Sequence, residues 1–196
     1  MLTENAPGKA GEILIRPASE AMLPSEWVAR WLGRRPPGRV LDLACGSGRH
    51  AHWAAAQGHQ VLAVDRDAQA LETLRAKGHE NITVRCEDLE HGPWSLSGQQ
   101  FDAVICTHYL YRPRLALLLD LVAPDGLWLH ETFAIGNAHY GRPRNPEFLL
   151  REGELLQWAQ RAHLQVIGFE SGIVHRPGPA VVQRIAAVRS PRPQAL

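Results

Sequence analysis

The chain has 196 residues, 45% of them hydrophobic and 21% charged, which suits one α/β core in an ordinary globular protein. A formal net charge of +1 leaves no overall surplus of positive charge to draw polyanions, so nucleic acid is not an expected partner. Residues 1–17 hold no apolar core of signal-peptide length, and the leucine-rich run 115–122 is interrupted by Asp120, which argues against secretion and membrane spanning.

Residues 23–33, with Pro24 in front and Gly33 behind, carry apolar residues one turn apart and read as a short helix within an N-terminal segment, 1–38. Trp27 and Trp31 are expected to be packing anchors of that helix. Pro36 and Pro37 link it to a first strand starting at Arg39. A helix over 49–57 closes at Gly58, a second strand spans 60–64, and a helix over 67–77 has Asp67 as N-cap and Gly78 as stop. Strands over 82–86 and 101–106 follow, joined by a Gly/Ser-rich stretch without a proper helix. Pro113 opens a helix whose Leu115, Leu118, Leu119 and Val122 form one apolar face, and Pro124-Asp125-Gly126 turns the chain into a fifth strand over 127–133.

Residues 134–149 form a long polar loop rich in Gly, Pro and Asn, of the kind that is usually functional. A helix then carries Leu155, Trp158, Ala159 and Ala162. Strands over 164–174 and 180–189 are joined by so short a link that they must pair antiparallel. The expected fold is therefore α/β, Rossmann-like and doubly wound, with seven strands, mostly parallel, ending in an antiparallel hairpin. One domain over 39–189 and a loose tail over 190–196 complete it. Cys45, Cys86 and Cys106 cannot all pair, each falls at the carboxyl end of a predicted strand, and a reducing cytosol suits them. The expected location is cytoplasmic.

The most informative stretch is Arg39-Val-Leu-Asp-Leu-Ala-Cys-Gly-Ser-Gly-Arg-His-Ala51, an apolar run breaking into a Gly-x-Gly turn and then a helical pattern. Gly46 and Gly48 let the backbone turn sharply and approach a ligand, facing the N–H groups that open the next helix. Asp65 ends the second strand nineteen positions after Gly46, where a βαβ unit offers a carboxylate to ribose hydroxyls. The same pattern satisfies nicotinamide and flavin dinucleotide sites. Asp42, inside the first strand, opposes that choice, because a dinucleotide brings phosphates while S-adenosylmethionine brings an ammonium and a sulfonium. Asp88, after the third strand, is placed to accept from an adenine amino group.

VLDLACGSGRH, VLAVD, CEDLE and FDAVICTHYLY together resemble the successive motifs of class I S-adenosylmethionine-dependent methyltransferases, over most of the chain from Arg39 to Arg189. The segment ETFAIGNAHYGRPRNPEFLLREGELL resembles small bacterial proteins related to the tellurite-resistance methyltransferases. The resemblance implies S-adenosylmethionine as cofactor, with S-adenosylhomocysteine as product. It would be held by Asp42, Ala44, Gly46, Gly48, Asp65, Arg66, Asp88, Leu89 and Thr107.

Methyl transfer needs mainly proximity, since the sulfonium is already activated, so a general base is optional. Were one needed for a hydroxyl or amine, His108, Tyr109 and Glu131 are the candidates. Cys106-Thr107-His108-Tyr109 stands where amide and adenine amino-methyltransferases carry an Asn-Pro-Pro-Tyr type signature, which argues against those acceptors. His50 and His52 read as surface or cofactor-flanking groups. No metal is expected, because His130-Glu131 has Ala134 where a zincin helix needs its second histidine. The loop over 134–149 is expected to act as a lid, with Tyr140, Arg142 and Arg144 facing a small-molecule acceptor, one with a soft or anionic nucleophile. An RNA or protein acceptor, drawn by the Arg142 to Arg144 patch, and a non-catalytic cofactor-binding module are the alternatives.

Overall fold

The computed structural model describes residues 23–175, 178–190 and 192. The expected N-terminal segment up to residue 22, and the expected tail apart from Ser190 and Arg192, lie outside the described residues. Apolar runs alternate with short amphipathic segments to give β1 (Arg39–Leu43), α2 (Arg49–Ala56), β2 (Gln60–Asp65), α3 (Ala68–Ala76), β3 (Ile82–Cys86), β4 (Phe101–Thr107), α4 (Leu115–Asp120), β5 (Val122–Phe133), α5 (Glu154–Arg161), β6 (Gln165–Val174) and β7 (Ala180–Val188), preceded by α1 (Glu26–Leu32). No helix connects β3 to β4. The seven strands form one sheet in the order β3-β2-β1-β4-β5-β7-β6. The first five run parallel, while β7 is antiparallel to both β5 and β6.

Alternation along the strands divides the core into two layers. Val40, Ala63, Ile105 and Leu129 pack against Val28, Ala51, Ala54 and Leu71, from α1, α2 and α3. Leu41, Leu43, Val104 and Trp128 face the other way, against Leu115, Leu118, Leu155 and Ala159, from α4 and α5. Strands covered on both faces read as continuous apolar runs, and that is how β1, β4 and β5 read in the sequence. The edge strands β3 and β6 are only partly buried, so Cys86 on β3 is exposed although Cys45 and Cys106 are buried.

Registers bring the carboxyl ends of the strands into one row. Leu43 pairs with Val64 and with Cys106, Asp65 with Cys86, and Thr107 with Glu131. The strand order reverses at β1, whose neighbours β2 and β4 lie on opposite sides, and a crevice opens there at the carboxyl ends.

Two boundaries differ from the sequence reading. The helix expected from Pro113 begins as a 3₁₀ turn over Arg112–Arg114, because the Arg112 guanidinium is held by Glu154 at 2.7 and 2.8 Å and by the carbonyls of Glu147 and Leu149. Val122, expected on that helix, instead opens β5 and pairs with Phe101. Arg189 draws the chain out of the helix there, donating to the carbonyls of Leu119 and Val122, both at 2.8 Å.

Helix α1 is pinned by its two tryptophans. Their rings meet edge-on at 5.7 Å, and the Trp27 indole N–H donates to the Ile185 carbonyl at 3.0 Å. Both rings lie over Gly168 on β6, where an added Cβ would sit 2.3 Å from Cζ2 of Trp31. Gly168→Ala is therefore expected to cost about 1–3 kcal/mol through overpacking, a melting decrease of roughly 3–10 °C in a chain of this size. Trp31→Leu in the same background should recover part of that loss, which thermal denaturation of the single and double variants measures.

Candidate functional site

The glycine turn between β1 and α2 is held by a single carboxylate. Oδ2 of Asp65 accepts the Gly46 N–H at 2.7 Å and Oδ1 accepts the Asp67 N–H at 2.9 Å. Asp67 then caps α3 by accepting from the N–H groups of Gln69 and Ala70. Gly46 has φ +54 with open space around its missing Cβ, as a ligand-facing turn requires. Gly48 departs from the expectation. A Cβ there would lie 2.3 Å from Cδ1 of Leu74, so its smallness serves the packing of α3 against α2.

Beside this turn lies an open cavity of about 240 Å³ lined by Ala44, Asp65, Arg66, Glu87, Asp88, Leu89, Glu90, His108 and Tyr109. Five of the expected cofactor residues and two of the expected catalytic residues meet here. Four carboxylates face one guanidinium, and that of Arg66 lies 3.7 Å from Glu90. The lining is acidic, which suits a cationic ligand with hydroxyl groups and opposes a pyrophosphate.

Asp88 folds the rim of the cavity. Its Oδ1 accepts from the N–H groups of Glu90 and His91, and its Oδ2 lies 2.9 Å from Nδ1 of His91. These bonds, the Glu90 N–H foremost, hold its pKa below the usual carboxylate range. Such an Asp-centred turn brings Glu90 back over the cavity, a signal present in the sequence as Asp88-Leu-Glu but not used. Continued alternation along the third strand would turn Glu87 the other way from Asp88. Glu87 lines the cavity too, with Oε2 accepting from the Ser95 hydroxyl and Oε1 buried without a partner.

Ala44 and His108, both with φ +55, line the cavity from the ends of β1 and β4. Non-glycine residues in this region carry about 1–2 kcal/mol of strain, and such strain concentrates at functional sites. The exposed His108 ring stacks on Phe133, with centroids 5.0 Å apart and planes 19° apart, and its backbone N–H donates to the Glu131 carbonyl at 2.8 Å.

Asp42 does not line the cavity. It lies on the α2 side of β1, 1% exposed, and neither carboxylate oxygen has a well-formed hydrogen bond. Burial pushes its pKa up to about 7 against the weaker pull of the Ala51 N–H and the Arg49 charge.

Behind the cavity a polar network ties α1, α2, β4, β5 and β7 together. Nε2 of His50 accepts the Ser25 N–H at 3.2 Å, so its proton sits on Nδ1, 3.4 Å from the Thr107 hydroxyl. His50 is thus buried, not superficial, and burial lowers its pKa to about 3. The Thr107 hydroxyl, expected at the cofactor, faces this histidine. The Ser25 hydroxyl donates to Oε2 of Glu131 at 2.9 Å, and the same oxygen lies 3.7 Å from Arg184. A carboxylate so engaged and 9% exposed does not fit the general-base role offered to Glu131. Tyr109 fits it no better, because its hydroxyl is buried without a partner and burial raises its pKa. Of the three candidates, His108 alone is exposed at the cavity.

The loop over 134–149 leaves β5 at its carboxyl end and contains two 3₁₀ turns, Asn137–His139 and Pro146–Phe148. Asn137 holds it to β7, accepting the Val181 N–H through Oδ1 and donating to the Pro143 carbonyl. Tyr140, Arg142 and Arg144 are exposed and do not line the cavity, so the inward orientation expected of them is not seen.

Residues 40–126 match the family model described as a methyltransferase domain. The chain is 29% identical over 174 residues to a ubiquinone biosynthesis O-methyltransferase of Alkalilimnicola ehrlichii, covering 78% of this chain and 70% of that protein. The fold is similar to TehB from Haemophilus influenzae, with a TM-score of 0.68 at 19% identity over 83% of this chain, which spans 61% of TehB. It is also similar to the 1,6-didemethyltoxoflavin-N1-methyltransferase of Burkholderia thailandensis, solved with S-adenosylhomocysteine, at TM-score 0.61 and 21% identity over 83% of this chain and 75% of that one. Among the described residues no helix is long and apolar enough to cross a membrane.

The raised pKa of Asp42 has a pH signature. The folded state holds a proton that the unfolded chain releases near pH 4, so stability from this group is full below that pH and falls as pH rises toward 7. Asp42→Asn, which needs no ionisation, is expected to be more stable than the native sequence at pH 8, by on the order of a few kcal/mol, and to lose that advantage at pH 4. Urea denaturation of both proteins at the two pH values measures the difference.

Proposed function

We propose that this methyltransferase domain binds S-adenosylmethionine in the cavity between the glycine turn and the Asp88 rim, and transfers its methyl group to a small-molecule acceptor arriving past His108. The acid-lined cavity carries this reading. Asp65 would meet the ribose hydroxyls while keeping the turn in place, and Asp88 and Leu89 would flank the adenine. Ala44, Gly46 and the half-exposed Arg66 to Glu90 pair would border the rest. When bound, the cofactor supplies a methyl group on a positively charged sulfur. The protein's part is to hold that group, to surround it with compensating negative charge and to orient the acceptor, and orientation provides much of the rate in such displacements.

The relatives that act on small molecules support the choice of acceptor class, one being a ubiquinone biosynthesis O-methyltransferase and another a toxoflavin N1-methyltransferase. The exposed Arg142 and Arg144 are the only support for an RNA or protein acceptor, and the near-neutral chain gives that reading no further help. The acidic lining also disfavours an acceptor that arrives with a negative charge. The loop over 134–149 is proposed as a cover for the acceptor, its outward arginines keeping it solvated.

S-adenosylhomocysteine at a hundred times its Kd is expected to add about 2.7 kcal/mol, a melting increase of roughly 5–10 °C, whereas NAD should add none. Asp65→Ala should weaken binding roughly tenfold to a hundredfold by calorimetry, losing charged hydrogen bonds to the ligand together with the restraint on Gly46. Glu87→Ala should also weaken it measurably, because this residue lines the cavity. A melting increase with NAD and none with S-adenosylhomocysteine would overturn the proposal.

A further inference from the structure

We infer that the loop between β5 and α5 docks on the surface of an anionic phospholipid bilayer, where its exposed apolar side chains enter the headgroup layer and Arg142 and Arg144 meet lipid phosphates. The inference goes beyond the methyltransferase reading and needs no bound cofactor. The loop is one braced protrusion. Ala134 and Leu150 form a parallel bridge at its base, where the Ile135 N–H donates to the Leu150 carbonyl and the Leu150 N–H to the Phe133 carbonyl, both at 2.9 Å. Asn137, 1% exposed, braces it from within by accepting the Val181 N–H and donating to the Pro143 carbonyl. Arg112 holds the far end through the carbonyls of Glu147 and Leu149. Compact loops pinched at the base in this way present their remaining side chains outward and are frequently functional.

What this loop presents is apolar and cationic together. Eight large hydrophobic side chains are exposed among the described residues, and three of them, Ile135, Tyr140 and Phe148, stand here at 58%, 44% and 52% exposure. Between them lie Arg142 and Arg144, both exposed and neither in an ion pair with a described carboxylate, whereas the surface arginines Arg30, Arg66 and Arg75 each have one. Glu147 is the only carboxylate from 134 to 149. A lipid interface satisfies both kinds of group, removing the apolar side chains from water and offering phosphate oxygens to the guanidinium groups. An RNA would engage the arginines but leave Ile135 in water. The acidic cavity lining, with Asp65, Glu87, Asp88 and Glu90, lies toward β2 and β3, so repulsion from the same lipid tilts the molecule onto the loop.

The test is co-sedimentation of the full chain with vesicles of equal parts phosphatidylcholine and phosphatidylglycerol, beside vesicles of phosphatidylcholine alone. Binding is expected on the anionic vesicles only, and should fall in about 1 M salt, where charges are screened within about 3 Å. Arg142→Gln with Arg144→Gln should weaken it roughly twenty-fivefold, about fivefold for each arginine, and Phe148→Ser roughly tenfold. Arg75→Gln with Arg161→Gln removes equal charge from α3 and α5 and should weaken it less than about twofold. Melting temperatures of all these variants should match that of the native protein, since every substituted side chain is exposed. No binding to anionic vesicles, equal binding to both kinds, or equal weakening by the Arg75 and Arg161 pair would each overturn the inference. So would self-association that Phe148→Ser abolishes in a chain that ignores vesicles, which assigns the loop to a second copy. A chain that binds vesicles but no S-adenosylhomocysteine overturns the function proposed above instead, so the two failures are distinguishable.

Discussion

The carboxylate of Asp65 is the interaction on which the carboxyl-end face of the sheet depends. One oxygen holds the first glycine of the turn after β1 and the other holds the entry to α3. Two loops from neighbouring strands are thereby fixed to each other through a single side chain, which sits in register with Cys86 on β3. Each of these bonds joins an anion to a backbone N–H, the stronger class of hydrogen bond. The same residue lines the cavity, so the group that builds the turn also stands at the wall a ligand would meet. Structure and recognition are in this sense one device, and a substitution at this position affects both.

Around that centre the molecule separates its charges by depth. Acidic groups with bonded partners rim the cavity, whereas Asp42 lies beneath the turn with its oxygens unmatched and its proton retained to about pH 7. His50 and His130 are buried and kept neutral, their pKa values lowered by burial to about 3 and about 4. The network from Ser25 through Glu131, Arg184 and Glu170 to Arg30 sets two carboxylates against two guanidinium groups. The field that an incoming ligand meets is therefore set by the rim and not by the interior.

Much of this was legible in the sequence because parallel strands and the turns between them leave local marks. The apolar runs at β1, β2, β4 and β5, Gly46, and the Asp at the end of β2 each follow from backbone requirements that a short stretch expresses alone. The antiparallel close follows from the short link after β6. Side-chain direction at β3 is not legible, because an edge strand with half-buried residues has no clear alternation, and the place of Glu87 in the cavity lining departs from simple alternation for that reason. Nor was the long-range partnership of Ser25, His50 and Glu131, which spans more than a hundred residues of sequence. Arg112 and Arg189 likewise reshaped helix boundaries through carbonyls distant in the chain, which no local pattern records.

The unequal burial of the three cysteines has a practical consequence. Cys45 and Cys106 are enclosed, and burial raises their thiol pKa values, so both are poor nucleophiles at neutral pH. Cys86 is exposed at the end of β3, next to Glu87 on the cavity wall. The native sequence thus offers a single addressable thiol for a maleimide dye, within one residue of the acidic cavity and without any engineering. A fluorophore installed there would report ligand arrival optically, one molecule at a time.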